Sequence, residues 1–549
     1  TSARDIQMRL RNMVSEYIKK DTTLISNRIC FNYLFGLLTI RFSPIFDTII
    51  ESLSKLYFKD EHLVFDLCLK FLTIAEDENE FLKFNYKFST EEEEGKKTIA
   101  DSPSFGKWWV VKTTRLEDTL RRYHKVSVGY VSNNNNFNIE IIIQNKIGSL
   151  SDDKFEYPLM LKQQILKALI TFPQLAERFY KKLVPFFLRD DDLEEEEDIN
   201  LDSDKSELKS EIERASKYTK KWSDSDKNLL LKLFGLFTNI VSFQNCDLIY
   251  ERFLHLLTNR STDVQKLALA GIFAFKNKIV NKYRDNLNNL LSDVLFKDEI
   301  TKILSKDLDT KILEDADEST VVPLVLRIMF GRVQTPNTNG LKKSRKTAVI
   351  SYLPNFKEED IIKFLEIGSK RLNYQYFFSN GYVLNKDKLN SNLLRRISGF
   401  LNVVNSLFAV LGSKFSKAIE SVIEPLIFST AASYQVIESK ITDDNIDKTA
   451  INIRQQSLKA FYNIFEHYGS DINWGNYLEV FQKIVVEPRL EKFDDENLQQ
   501  PSSILKIISY WATDIELYEF LYYNEFASAK ALMKTLVNDN VKESVIGVI

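Results

Sequence analysis

The stretch Thr262-Asp-Val-Gln-Lys-Leu-Ala-Leu-Ala-Gly-Ile-Phe-Ala-Phe275 decides the fold class of this sequence. Its apolar and small residues recur at offsets that place them on one face of an α-helix; they are Val264, Ala268, Gly271, Ile272 and Phe275. The small residues in the middle of this face let a second helix approach closely. Thr262-x-x-Gln265 matches a capping box, whose side chains pair with the free N–H groups at a helix start. The stretch therefore predicts the inner helix of a helical hairpin.

The same face recurs in two other parts of the chain. Its positions are Leu161, Ile165, Ala168, Leu169 and Phe172 in one segment, and Ile453, Ser457, Ala460, Phe461 and Ile464 in the other. The three faces begin 103 and 189 residues apart, which is not one period but fits degenerate repeats of roughly 40 residues with insertions. The pattern predicts an all-α protein, a HEAT-like helical-repeat solenoid (α-α superhelix) with inserted loops. An irregular all-α fold is the alternative.

The composition agrees with helices joined by short turns. The 549 residues exceed the roughly 250–300 at which a single core stops growing, and they include only 16 Gly and 11 Pro. The three Cys and four His are scattered along the chain, so we expect no metal site and no disulfide framework. No run of about 18 apolar residues occurs, so we expect no membrane-spanning helix.

Changes in composition divide the chain into segments. We predict helical repeats over 1–86, an insertion or loop region over 87–157, a helical repeat over 158–188, an acidic linker over 189–215 and helical repeats over 216–549. Helical apolar stripes reach both ends of the sequence without the usual start and stop signals. We therefore expect the chain to be a segment of a longer protein.

Two of these segments have more than one interpretation. Residues 126–147 alternate apolar and polar side chains on both sides of Asn133–Asn136, which favours either a small β-hairpin or an extended insertion. The run Asp190–Asp198 holds eight acidic residues in nine positions. Like charges at this density repel one another, so the run predicts a solvated linker. A docking strip for a basic partner is the alternative.

Positive charge is concentrated in residues 319–419, which carry a net +11 in a chain of net charge −3. The densest part, Gly340-Leu-Lys-Lys-Ser-Arg-Lys-Thr347, is predicted as a loop. A helix over Val321–Phe330 precedes it, with Pro323 in its first turn and Gly331 at its end. Such a block suits RNA phosphates, while a solvated loop and a localisation signal are the alternatives. The candidate RNA- or partner-binding residues are Arg332, Lys342, Lys343, Arg345 and Lys346.

Five motifs follow one another between residues 250 and 354. They read Leu254-His-Leu-Leu-Thr-Asn-Arg-Ser-Thr-Asp-Val-Gln-Lys-Leu-Ala-Leu-Ala270, Tyr283-Arg-Asp-Asn-Leu287, Phe296-Lys-Asp-Glu-Ile300, Val321-Val-Pro-Leu-Val-Leu-Arg-Ile-Met-Phe-Gly-Arg332 and Arg345-Lys-Thr-Ala-Val-Ile-Ser-Tyr-Leu353. In this order they resemble the central domain of the DRIM (down-regulated in metastasis) family. That family comprises very large helical-repeat proteins associated with the U-three small nucleolar ribonucleoprotein.

The resemblance implies a non-catalytic scaffold in small ribosomal subunit biogenesis, within the nucleolar small-subunit processome or 90S pre-ribosome. It implies binding to pre-ribosomal RNA, to the U-three small nucleolar ribonucleoprotein or to both, and to processome proteins, in support of early pre-18S rRNA processing. It implies no catalytic residue, no cofactor, no small-molecule substrate and no membrane.

Two other classes of function are alternatives to this one. A HEAT-type nuclear transport receptor, or another protein-binding solenoid, would share the fold. Such receptors usually carry acidic inner faces, which the basic block at 319–419 does not match. For an enzyme, the sequence lacks a G-x-x-x-x-G-K-[ST] phosphate loop, an H-E-x-x-H helix, a C-x-x-C pair and a G-x-S-x-G elbow. We therefore expect no enzymatic activity in these residues.

Overall fold

A computed structural model of the protein describes most of the helical part of the chain. The described ranges are residues 3–38, 42–73, 161–189, 206–219, 222–305, 312–334, 340–384, 389–408, 410–411, 415–439 and 444–549. Every regular element in these ranges is a helix and none is a strand, so the predicted all-α helical-repeat class is confirmed. The predicted insertion at 87–157, including the hairpin alternative at 126–147, and the acidic run Asp190–Asp198 lie outside the described ranges.

The described helices belong to two compact units, one ending at Thr238 and the other running from Asn239 to Ile549. The helices of the first unit are α1 (Ala3–Lys19), α2 (Leu24–Leu38), α3 (Phe46–Leu56), α4 (Glu61–Leu72), α5 (Leu161–Thr171), α6 (Pro173–Arg178), α7 (Tyr180–Leu188), α8 (Ser206–Thr219) and α9 (Asp224–Phe234).

The first unit is built around α5. Helix α3 packs against α1, α2 and α5, and α5 also packs against α4 and α9. The face predicted from Leu161 to Phe172 is confirmed as core, because its five residues are at most 3% exposed. Tyr57 extends this core by stacking on Phe172 with ring centroids 5.0 Å apart. Removal of this apolar surface from water, at about 25 cal/mol per Å², stabilises the unit.

The second unit holds most of the described helices. They are α10 (Cys246–Leu257), α11 (Thr262–Ala274), α12 (Lys278–Lys282), α13 (Arg284–Asn289), α14 (Phe296–Leu304), α15 (Glu318–Val333), α16 (Gly340–Tyr352), α17 (Glu358–Ser369), α18 (Tyr374–Ser379), α19 (Ser391–Leu407), α20 (Ser416–Glu420), α21 (Ile423–Ser439), α22 (Asp444–Tyr468), α23 (Leu478–Phe481), α24 (Glu487–Leu490), α25 (Phe493–Glu496), α26 (Ser503–Trp511), α27 (Tyr518–Val537) and α28 (Glu543–Ile546).

Helices of the second unit pack in series. The hairpin α10–α11 packs on α15, α15 packs on α16 and α17, and α17 packs on α19. Helix α19 then packs on α22, α22 on α21 and α26, and α26 on α27. The face predicted from Ile453 to Ile464 lies on α22, and all five of its residues are fully buried. This neighbour-to-neighbour packing is typical of helical-repeat proteins.

The start of α11 differs from the sequence prediction. The N-cap residue is Ser261, without a side-chain cap, and not Thr262. The side chain of Gln265 is 1% exposed and donates to the carbonyl oxygens of Leu257 at 2.8 Å and Ile328 at 3.1 Å. The capping-box prediction was therefore wrong, because the Gln265 amide satisfies two buried carbonyls instead of the free N–H groups of its own helix.

Helix α15 is longer than predicted at both ends. It begins at Glu318, so Pro323 lies in the second turn, and it continues past Gly331 to Val333. Gly331 does not end the helix. It is needed because another backbone segment lies very close to α15 at this position. A Cβ atom at Gly331 would overlap the backbone carbonyl oxygen of Asn259 in the α10–α11 turn. The glycine thus lets α15 lie directly on that turn.

Two segments expected to be irregular contain helices. The basic segment 340–347 was predicted as a loop but forms the first two turns of α16. The predicted acidic linker 189–215 overlaps α8, which begins at Ser206. Lys, Arg, Glu and Ser are compatible with helices, so charge alone did not distinguish a loop from a solvated helix in either segment.

No helix in the described ranges combines the length and the apolar character needed to cross a lipid bilayer. Within the same ranges, no group of three or more His, Cys, Asp or Glu side chains is arranged to hold a metal ion.

Candidate nucleic-acid interface

Four of the five predicted contact residues lie on α16. Lys342, Lys343 and Arg345 fall in its first two turns, and Lys346 follows them. Positions 342, 345 and 346 are three and four residues apart, so they share one face of the helix. Lys346 is partly buried, and its Nζ donates to the carbonyl oxygen of Asn402 at 3.1 Å. Partial burial lowers the pKa of Lys346. The four basic residues therefore belong to a helix that contacts α19 through Lys346.

Arg332, the fifth candidate, lies inside the protein. Its side chain is 3% exposed, and Nη2 donates to Asp293 Oδ1 at 2.9 Å. Its Nη1 donates to the carbonyl oxygen of Leu290 at 3.2 Å, and the guanidinium lies over the ring of Phe296 at 4.5 Å. A guanidinium enclosed in this way has no face left for an RNA phosphate. Arg332 instead joins α15 to the segment between α13 and α14.

A cleft lies between α10, α15, α17 and α19, within the second unit. Its volume is about 410 Å³. The lining residues combine charged, polar and aliphatic side chains; they are Glu251, Leu254, His255, Thr258, Pro323, Leu326, Arg327, Lys363, Glu366, Ile367, Lys370, Arg371, Asn373 and Arg396. We call this the basic cleft, because five of its side chains are cationic and two are carboxylates.

The arginines of the basic cleft differ in how they are held. Arg371 Nη2 donates to the hydroxyl of Thr258 and lies 3.3 Å from His255 Nε2. Arg327 Nη1 donates to the carbonyl oxygen of Pro323 at 3.1 Å, and burial lowers its pKa. Among the described residues, neither Arg327 nor Arg396 forms an ion pair. The nearby carboxylate of Glu251 partly offsets the charge of Arg327. Five cations against two carboxylates still leave the cleft positive, which favours an anion.

The lysines of the basic cleft are partly neutralised. Lys370 Nζ lies 3.4 Å from a carboxylate oxygen of Glu366, one turn earlier on the same element. Lys363 Nζ lies 3.4 Å from Asp360. Pairs of this kind at the surface contribute little to stability. Because both lysines are paired with carboxylates, the net positive charge of the cleft comes mainly from the three arginines.

His255 is the most perturbed titratable group of the basic cleft. Burial, followed by the charges of Arg371, Arg252 and Arg396, lowers its pKa well below 6.5, so the imidazole is neutral near pH 7. Because a guanidinium can only donate, Nε2 accepts from Arg371 and the ring proton is assigned to Nδ1. The Nδ1 atom is buried and has no hydrogen-bond partner among the described residues. The Nδ1–H group is thus a buried donor behind the lining of the cleft, while Nε2 faces Arg371.

Sequence reasoning did not identify the basic cleft as a site. Arg327, Arg371 and Arg396 all belong to the block 319–419, whose positive charge was the available signal. The three residues come from a helix, a turn and another helix that meet only through packing. His255 and Thr258 lie outside the block, on α10 and just after it. Charge counting indicates the region, but it does not show which cations converge.

The family match and the two similar proteins agree on one family. Residues 221–549 match the family described as U3 small nucleolar RNA-associated protein 20, N-terminal, which includes the whole basic cleft and α16. The chain is 40% identical over 548 residues to U3 small nucleolar RNA-associated protein 20 of Saccharomyces cerevisiae, a match that covers 100% of the chain and 21% of that relative. It is 26% identical over 528 residues to the protein of the same name from Schizosaccharomyces pombe, covering 93% of the chain and 19% of the relative.

The chain thus spans about a fifth of the length of these curated relatives. The family model covers well over half of the chain and includes the stretch 250–354, where the five characteristic motifs lie. The chain therefore belongs to the U3 small nucleolar RNA-associated protein 20, N-terminal, family.

Proposed function

We propose that this chain is a non-catalytic scaffold segment in small ribosomal subunit biogenesis. It binds pre-ribosomal RNA, the U3 small nucleolar ribonucleoprotein or both, and it acts in the nucleolus as part of the small-subunit processome, in support of early pre-18S rRNA processing. The name that both relatives carry, U3 small nucleolar RNA-associated protein 20, supports this proposal. The DRIM-like motifs lie within the matched region and support it further.

The observation that carries the proposal is the concentration of positive charge on one part of the second unit. The basic cleft and the basic residues of α16 both lie largely in the block 319–419, which has a net charge of +11, while the whole chain is acidic. A local cluster of this size attracts a polyanion despite the acidic remainder, because surface charges are screened beyond about 8 Å at physiological salt. Phosphate contacts then position the RNA without reading its sequence.

Within this proposal, the contact residues on α16 are Lys342, Lys343, Arg345 and Lys346. Arg332 has a structural role, as its contacts with Asp293 and Leu290 indicate. The alternative of a nuclear transport receptor is not favoured, since both relatives carry the name of a small nucleolar RNA-associated protein. The serial packing of the second unit suits a scaffold, because such proteins present long surfaces to large partners.

The test is RNA binding by the 549-residue chain across a salt series. The variant K342E/K343E/R345E/K346E is compared with K492E/K506E/K530E/K542E, which makes the same charge change at four exposed lysines outside the basic block. We expect the slope of log affinity against log salt to fall by about 0.7 for each phosphate of single-stranded RNA that the variant no longer neutralises. The control variant should keep a slope close to that of the wild type. Absence of RNA binding by the wild type at low salt would overturn the proposal.

A further inference from the structure

The lining of the basic cleft includes apolar side chains, which a site for a small anion would not require. One part of the lining is aliphatic and is formed by Leu254, Pro323, Leu326 and Ile367. The remainder is cationic or polar. The volume of about 410 Å³ falls within the range of small-molecule pockets, about 300–1,000 Å³. A lone phosphate group would fill only a small part of this space and would leave the aliphatic wall in contact with water.

The charges of the basic cleft indicate one anionic group and not a row of them. Arg327 and Arg396 form no ion pair with any described residue, and Arg371 lies in the same cleft. Glu251 and Glu366 also line it, and their carboxylates would repel a second phosphate at close range. A groove that follows an RNA backbone would be expected to be basic throughout. The mixed lining therefore favours a ligand with one phosphate and a less charged remainder.

The polar groups of the lining match the edge of a nucleobase. Carboxylates such as Glu251 and Glu366 accept hydrogen bonds from exocyclic amino groups. Asn373 offers both a donor and an acceptor. An arginine guanidinium can stack on a base as well as pair with a phosphate.

We propose that the basic cleft binds one unpaired nucleotide of single-stranded RNA. The arginines Arg327, Arg371 and Arg396 hold its phosphate, and the aliphatic wall with the neighbouring polar groups holds its base. This inference rests on the proposed function, since it names the form of RNA that the second unit recognises. A paired nucleotide would not enter, because its base is stacked and its Watson–Crick edge is occupied.

The experiment uses two pairs of matched variants. R396E reverses a charge that lines the basic cleft, and R395E makes the same change at the adjacent, exposed residue of α19. I367W places a larger side chain at the aliphatic wall of the cleft. I362W makes the same change elsewhere on α17, at a residue that does not line the cleft. Thermal unfolding of each variant shows whether it is folded at the assay temperature.

The probe is a single-stranded RNA oligonucleotide with one 2-aminopurine, whose fluorescence rises when the base is unstacked. We expect the wild type to raise the fluorescence, and R396E and I367W to remove this rise and weaken binding about tenfold. R395E and I362W should behave like the wild type. The same RNA annealed to its complement should give no rise and should compete poorly for the cleft.

The outcomes separate this inference from the proposed function. RNA binding that falls in the α16 variant but is equal in R396E and R395E would overturn the inference and leave the proposed function intact. Equal competition by duplex and single strand would also overturn it. A third outcome would overturn it as well: a phosphoserine peptide binds in an Arg396-dependent manner and the oligonucleotide does not. The cleft would then be a protein-binding site. Failure of the wild type to bind RNA would overturn both.

Discussion

Arg332 Nη2 lies 2.9 Å from Asp293 Oδ1, yet the two side chains differ sharply in exposure, at 3% for Arg332 and 48% for Asp293. The pair therefore has a buried cation and a solvated anion. The guanidinium also donates to the carbonyl oxygen of Leu290 and lies over the ring of Phe296. Since the costs of desolvation fall on the arginine, removal of one partner should not have the same effect as removal of the other.

The first prediction concerns this asymmetry. Asp293→Ala removes the carboxylate that accepts from Nη2 of the buried guanidinium, which should lower the free energy of unfolding by about 2–3 kcal/mol. Arg332→Met replaces the cation by an apolar chain of similar length and leaves Asp293 in water, so its cost should be smaller. Chemical denaturation of both variants measures the difference. A greater decrease in stability for Arg332→Met than for Asp293→Ala would contradict this account.

The second prediction concerns Gly331. A Cβ atom at this position would overlap the backbone carbonyl oxygen of Asn259 and the amide of Gln265, so Gly331→Ala should destabilise the protein by about 1–3 kcal/mol through overpacking. The matched control is Gly399→Ala on α19, where no atom lies within 4 Å of the added Cβ. This control should gain up to about 1 kcal/mol from helix propensity. Equal effects of the two substitutions on the melting temperature would refute the close approach at Gly331.

The sequence predicted the buried positions correctly where apolar residues recur on one face of a single helix. The residues from Ile453 to Ile464 recur at helical spacing, and all five predicted positions are buried. Prediction failed where a side chain forms hydrogen bonds with other helices. Gln265 matched a capping box locally, but its amide bonds Leu257 and Ile328. Such interactions depend on which helices become neighbours, which the local pattern does not contain.

The candidate site was predictable only as a region. The charge imbalance at 319–419 indicates the part of the chain that contains most of the basic cleft. Sequence reasoning named Arg332, which is buried, as a candidate contact and did not name Arg371 or Arg396, which line the cleft. A charge count does not separate a buried cation that is paired with a carboxylate from one that faces a cavity. That distinction arises from the packing of α15 against the elements around it.

The third prediction concerns the three cysteines. Cys68 is fully buried and Cys30 is 8% exposed, while Cys246 at the start of α10 is partly exposed. Burial raises the pKa of the Cys68 and Cys30 thiols, which suppresses the reactive thiolate. A thiol reagent at pH 8 should therefore modify Cys246 first, Cys30 more slowly and Cys68 only after unfolding. Mass spectrometry of partially labelled protein gives the order, and early labelling of Cys68 would contradict the described packing of α4.

The fourth prediction concerns the pH dependence of stability that His255 causes. Its pKa in the folded protein is lowered by burial and by Arg371, Arg252 and Arg396, whereas the unfolded chain has the ordinary value of about 6.5. Below about pH 6.5 the unfolded state therefore binds a proton that the folded state does not. Stability contributed by the neutral ring is fully present above about pH 6.5 and falls as the pH is lowered, by at most about 1.4 kcal/mol per pH unit.

The control for this prediction is His255→Gln, which keeps a neutral polar side chain at every pH. Urea unfolding of both proteins between pH 8 and pH 5 should give a difference in free energy that is constant above about pH 6.5 and then moves against the wild type as the pH falls. Glu251 and Glu366 also face the basic cleft, but they remain in the variant, so their titration is common to both curves. Parallel curves over the whole range would mean that His255 is protonated as easily in the folded protein as in the unfolded chain. Below about pH 6.5 the ring would then be an imidazolium and would add a sixth cation to the lining of the basic cleft.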